Sequence, residues 1–259
     1  MSLPPASVRI LRRLAQRADA MERSWSIAGT RTEIVTERRF LFFFTASSMA
    51  ISTLDDAAAA LGLPTGLIAA WRRALPGADA IGLAVRDDLA SVRLYTQYWD
   101  AVANRVRGGN REPALLYAGF KTLPDDTARA DSYICLPAAP RDIFMPDIRT
   151  AMAHLGVDPT AGDACFAPLS ADSCIYTRTE GDGRESWLAT VRRAQLPHSD
   201  VAKALAPVSR LPCGTEILEA AAQRDMVHIA GGHDGTKGRF TSLYFAADPA
   251  DLETFMTRP

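Results

Sequence analysis

At 259 residues, 47% of them hydrophobic, the chain can bury a substantial core, as one large domain or two smaller ones. A net charge of -1 and a pI near 6.4 argue against a general nucleic-acid binder. The greasiest run, Phe40 to Phe44, is far too short to span a bilayer. The N-terminus, MSLPPASVRILRRLAQ, lacks the apolar core of a signal peptide. Cys135, Cys165, Cys174 and Cys213 show no Cys-x-x-Cys or Cys/His ligand spacing, and are expected to be reduced thiols in a cytoplasmic protein.

Residues Ala6 to Met21 predict a basic amphipathic helix, with Val8, Leu11, Leu14 and Ala15 near one face and Arg9, Arg12, Arg13 and Arg17 solvated. SWSIAGTRTEIVTERRFLFFF then reads as a first hairpin, with Glu22, Ser24 and Arg39 in the polar register. Leu54-Asp55-Asp56 opens a helical region that is interrupted near Pro64 and stops at Pro76-Gly77. The next hairpin, from Ala80, turns at Arg86-Asp87-Asp88-Leu89. Ile81, Leu83, Val85, Val92 and Leu94 form its aliphatic face, while Arg93, Tyr95 and Gln97 form the other. DAVANRVRGGNREP reads as a short helix and loop.

Tyr117 to Leu136 holds another strand pair, with Asp131 and Tyr133 on its polar face. A helix follows from Asp142 to Leu155, closed by Gly156 and Pro159, and then a loop from Thr160 to Ala171. CIYTRTEGDGRESWLATVRR turns at Gly181-Asp182-Gly183; Trp187 and Val191 oppose Thr190 and Arg192. Helices are expected from Pro197 to Leu205 and from Thr215 to Arg224. VHIAGGHDGTKGRFTSLYF makes the last hairpin, Val227, Ile229, Leu243 and Phe245 opposing His228, Ser242 and Tyr244, and Pro249 to Met256 closes the chain as a helix. Helix and strand pair alternate about five times without a linker, so residues 1–259 read as one α+β domain. Hairpins that each carry one polar face suggest a closed sheet of about ten antiparallel strands. Its aliphatic sides lie under helices and its polar sides line a lumen, the inverse of a small, filled barrel.

In that order and spacing the chain resembles the aromatic prenyltransferases of the ABBA fold, and most closely the cyanobactin-type peptide prenyltransferases. RRFLFFF resembles that family's first long strand and GLAVRDDLASVRLYTQY its next hairpin. AGFKTLPDDTARADSYICLPAAPRDIFMPDI is similar to its central hairpin and following helix, and VHIAGGHDGTKGRFTSLYF to its closing hairpin. The resemblance implies transfer of a dimethylallyl group from an allylic diphosphate to an electron-rich side chain (Tyr, Trp, Arg or His) of a peptide natural product. The alternatives are a small aromatic or guanidine metabolite as acceptor, or a non-catalytic barrel that binds a lipid or isoprenoid. The expected partners are the prenyl diphosphate and its acceptor, with no nucleic acid or membrane, and the protein is expected to be a monomer.

The chemistry sets its own demands. Ionising an allylic diphosphate requires donors on the leaving group, and the carbocation requires π-faces and protection from water. The inward register offers Arg39, Arg93, Tyr95, Tyr133, Arg192 and Tyr244, with Lys121 a weaker candidate. The cyanobactin enzymes carry a basic, His, basic ladder where this chain has Arg93, Tyr95 and Gln97, so only the first basic position is kept. No DDxxD motif occurs, since Asp55-Asp56, Asp87-Asp88 and Asp125-Asp126 each lack the second acidic partner. A metal-cluster ionisation is therefore disfavoured, and the resemblance implies at most a single Mg²⁺ bridging the diphosphate.

Glu22, which sits where the family places its acceptor-facing glutamate, is the expected general base. His228 is the runner-up on the acceptor side. The resemblance also implies that donor length is set by one residue on the strand before the Asp-Gly hairpin. That residue is Ile175 if the hairpins align without gaps, and Phe166 in a looser alignment.

Overall fold

The computed structural model describes residues 3–29, 34–122, 128–180, 184–235 and 238–257. The Gly181-Asp182-Gly183 turn and the Asp125-Asp126 pair lie outside these segments. The chain opens with α1 (Pro5–Ala15), followed by β1 (Ala20–Gly29) and β2 (Ile34–Thr45), then α2 (Ser48–Ala60) and α3 (Thr65–Ala74). β3 (Ala80–Arg86) and β4 (Val92–Gln97) precede α4 (Trp99–Arg107); β5 (Ala114–Thr122) and β6 (Ala128–Leu136) precede α5 (Arg141–His154) and α6 (Pro159–Cys165). β7 (Ile175–Glu180) and β8 (Arg184–Thr190) lead into α7 (His198–Ala204) and α8 (Gly214–Gln223). β9 (Met226–Asp234), β10 (Gly238–Ala247) and α9 (Pro249–Thr257) end the chain. Every strand pairs antiparallel with its sequence neighbours, and β1 pairs with β10, so the sheet closes.

Closure puts the core in a ring outside the barrel. Phe40, Phe42, Leu83 and Leu94 face outward and pack with Leu54, Trp71 and Phe255 under α1, α2, α3 and α9. Trp25, Tyr176, Leu243 and Phe245 form a second apolar layer with Phe144, Ile148 and Ile217 under α5 to α8. The hydrophobic driving force is satisfied by this ring, so the inner face can stay polar. The four cysteines are buried and unpaired. Among the described residues, no helix is long and apolar enough to cross a membrane.

Three boundaries differ from the sequence reading. The first helix ends at Ala15, not Met21. The Asp19 amide already donates to Phe43 O at 2.9 Å, so β1 begins at Ala20 and Glu22 lies inside a strand. The second helix starts at Ser48 with Ser47 as its cap, the hydroxyl accepting from the Ala50 amide. Asp55 is therefore mid-helix, where it accepts from Arg72 Nε at 2.7 Å. The segment expected to be a loop contains α6, whose amides at Thr160 and Ala161 are capped by Asp158.

An acid outside the barrel wall ties helix to sheet. Glu216 on α8 accepts from Arg23 on β1, from Trp25 Nε1 at 3.3 Å and from Arg38 Nη1 on β2 at 3.1 Å. Removing one member of a largely buried charge network strands the others. Glu216→Ala is therefore expected to cost about 3 kcal/mol of stability, read from the urea unfolding midpoint. A loss below about 1 kcal/mol would show the network to be solvent-compensated.

Candidate active site

The lumen holds a cavity of about 490 Å³. Period-2 alternation aims Glu22, Arg39, Arg93, Tyr95, Tyr133 and Tyr244 into it from five different strands. Two strand glycines make room for Tyr95, which pairs with Gly82 on one side and Gly119 on the other. A Cβ on Gly119 would sit 3.0 Å from the Tyr95 ring, so this glycine marks a close approach.

Arg93 is the electrostatic centre. Its Nε donates to the Ser91 hydroxyl at 3.2 Å, and its other neighbours are the phenols of Tyr95, Tyr133 and Tyr244. It meets no carboxylate among the described residues. Burial works against its charge, yet the surrounding tyrosines raise its pKa above the ordinary arginine value, so it is held as a guanidinium. Arg39 is buried and ion-paired with Glu37. Its own burial, then the charge of Arg93, lower its pKa, the mark of two like charges brought together without enough counter-charge. Arg39 Nε has no hydrogen-bond partner among the described residues.

Further cations stand behind these two. In register, Arg39 pairs with Arg86, and Arg93 with Lys121, which pairs with Arg129. Five consecutive strands, β2 to β6, thus carry a basic residue of the inward register. Arg86 is held by Glu37 at 3.2 Å and Asp88 at 2.6 Å, while Asp131 takes both Lys121 Nζ at 2.5 Å and Arg129 Nε at 2.6 Å. Arg86 and Arg129 were missed from the sequence because each reads as a turn-flanking surface arginine.

Glu22 is 8% exposed. Its Oε1 lies 3.3 Å from His228 Nε2, and its Oε2 is buried with no hydrogen-bond partner among the described residues. His228 Nδ1 lies 2.8 Å from Thr190 Oγ1, and Tyr244 packs edge-on against the imidazole at 5.4 Å. Tyr117 shares this wall; burial, then the charge of Glu22, raise its pKa well above the usual phenol range.

Two expected site residues fall outside the cavity, and a third reaches it from beyond the strands. Lys121 does not line the cavity, being buried in its ion pair with Asp131. Arg192 does line it, but from the 3-10 turn Arg192–Ala194 and exposed, because β8 ends at Thr190 before the strand alternation reaches it. Phe166 is not in the lumen at all: it caps α6 in the outer core, 1% exposed, whereas Ile175 does reach the cavity at the start of β7. Among the described residues, no group of three or more His, Cys, Asp or Glu side chains is placed to hold a metal ion. The site does not fit a protein-held Mg²⁺.

A closed ten-stranded antiparallel barrel with helices outside and polar side chains within is the ABBA prenyltransferase-type architecture. No protein-family model matches the chain, and no curated protein matches it. Solved structures do. The 5-dimethylallyltryptophan synthase from Streptomyces coelicolor superposes with a TM-score of 0.55, covering 99% of this chain and 94% of that one at 13% identity. PriB in its binary complex with product diphosphate gives 0.55 over 90% and 82% of the two chains at 12% identity. The likeness is one of fold.

Proposed function

We propose that the protein transfers a dimethylallyl group from its diphosphate to an electron-rich side chain of a peptide. The observation that carries this is Arg93, a guanidinium facing the lumen with phenols around it and no acid beside it among the described residues. A desolvated cation without a carboxylate is costly unless an anionic ligand completes it. Arg39, with an unused Nε, is the second anchor, and Tyr95, Tyr133 and Tyr244 supply both hydrogen bonds to a diphosphate and π-faces to a carbocation. The names of the two similar structures, one a dimethylallyl transferase and one holding diphosphate, support the same chemistry. The Mg²⁺ implied by the sequence resemblance is assigned no ligand on the protein, and no step runs through it.

A peptide acceptor is favoured by space outside the lumen. A second cavity of about 590 Å³ lies between α5 and the strands β7 to β10. It shares Thr179, Ser186, Trp187 and Phe240 with the lumen, so a chain whose reactive side chain enters the barrel has a groove for its flanks. The test is incubation with dimethylallyl diphosphate and a panel of Tyr, Trp, His and Arg peptides, read by mass. A prenylated peptide is expected. Donor binding without product on any acceptor would favour the non-catalytic isoprenoid-binding barrel, and no donor binding would defeat the proposal.

Donor length follows from Ile175. Each methylene that cannot be buried forfeits about 0.8 kcal/mol, and overlap with a β-branched side chain adds to that. Wild type is expected to prefer dimethylallyl over geranyl diphosphate, and Ile175→Gly to shift the ratio of kcat/KM towards geranyl. Phe166→Gly is expected instead to destabilise the fold by about 3–5 kcal/mol, as a core deletion does, without changing donor choice. Reversal of the preference by Phe166→Gly alone would overturn this placement.

A further inference from the structure

We propose that Thr190 and His228 are positioning residues for the Glu22 base. In this arrangement a one-way hydrogen-bond chain runs from Thr190 through His228 to Glu22 Oε1, leaving Oε2 as the oxygen that takes the acceptor's proton. The inference rests on the prenyl-transfer reading and goes beyond it in assigning a positioning role to Thr190, and in fixing which carboxylate oxygen reacts.

The three side chains come from β1, β8 and β9 and all line the lumen. Thr190 Oγ1 lies 2.8 Å from His228 Nδ1, and His228 Nε2 lies 3.3 Å from Glu22 Oε1. The direction follows from counting protons back from the base. A carboxylate only accepts, so the Nε2 that faces Glu22 carries a proton. A neutral imidazole protonated at Nε2 accepts at Nδ1, and the Thr190 hydroxyl donates its one proton there. Every bond in the chain has one donor and one acceptor, and Glu22 is the member with no proton to pass on.

The consequence for the reaction is positional. As the C–O bond to diphosphate breaks, the diphosphate leaves with the bonding pair. The new bond forms between the allylic carbon and the acceptor atom, and the acceptor's proton moves to Oε2. Oε1 keeps its bond from His228 throughout. The Tyr244 ring packs edge-on to the imidazole at 89°, against the face of the residue that holds Oε1.

The test uses full-length wild type, Thr190→Val and Thr190→Ser with dimethylallyl diphosphate and the peptide panel, alongside ¹⁵N NMR of the histidines at neutral pH. The His228 signals are assigned by their loss in His228→Asn. Val keeps the shape of Thr and removes the hydroxyl. We expect Thr190→Val to lower kcat about tenfold or more, as loss of a hydrogen-bonded support for a charged group does, with the donor KM changed less than about threefold. Thr190→Ser should restore most of kcat. In wild type the NMR spectrum should show a neutral His228 protonated at Nε2.

Thr190→Val with wild-type kcat, or a His228 that is doubly protonated or protonated at Nδ1, would overturn the chain. Wild type that prenylates nothing would defeat the prenyl-transfer reading instead, and the tautomer measured on that same protein would still decide the hydrogen-bond chain.

Discussion

Arg93→Ala is expected to abolish turnover while leaving the barrel folded. A charge-assisted contact is worth about 1.5–3 kcal/mol, and a guanidinium that touches diphosphate in both ground and transition states makes more than one. The loss in kcat/KM should therefore exceed about a hundredfold, with the donor KM rising as well. The same substitution should not lower the melting temperature. Arg93 has phenols and a serine around it and no carboxylate among the described residues, so its removal breaks no ion pair there. Steady-state kinetics and a thermal melt on one sample check both halves. Normal activity in a well-folded variant would show that the lumen face of β4 does not hold the donor. A large fall in melting temperature would show that Arg93 is structural.

Glu22→Gln should lower kcat by roughly 10²–10⁴, the usual contribution of a positioned base, with only modest change in donor affinity. Glutamine keeps the size of the side chain and a carbonyl oxygen for His228 Nε2, but its amide in place of Oε2 cannot take a proton. Single-turnover measurements at saturating donor separate this step from product release. An unchanged rate would remove Glu22 from the chemistry and make His228, 3.3 Å away, the next group to substitute. Comparison with Thr190→Val orders the two effects: the base itself should cost more than the hydroxyl that helps to hold it.

Strand direction was legible in the sequence because side chains alternate with period two whatever the partners. That is how Glu22, Arg39, Arg93, Tyr95, Tyr133, Tyr244 and His228 could all be placed inside before any contact was known. Alternation also marked the outward faces, Leu83 and Leu94 among them, that the helices cover. Parity fails where a strand stops. Arg192 has the right spacing from Thr190, but the chain has already turned into a 3-10 helix there. It fails again where a helix lacks an apolar stripe: α6 contains little more than Pro, Thr, Ala, Gly and Asp, and only its Asp158 cap betrays it.

What the sequence determined by itself is the alternation of helix and strand pair, the polarity of each strand face, and hence a barrel with its hydrophobic layer outside. Those properties are local, set by side-chain direction along a single strand or helix. Only the tertiary structure decided which inward residues meet. Barrel closure brings β1 beside β10, so Glu22 reaches a histidine more than two hundred residues away. Register sets Lys121 opposite Arg129, two residues from the Asp131 that holds both, and leaves Arg93 without an acid among the described residues. Parity says inside or outside, but the stagger between strands is set by all ten closing together. That stagger separates a paired cation from one left for a ligand.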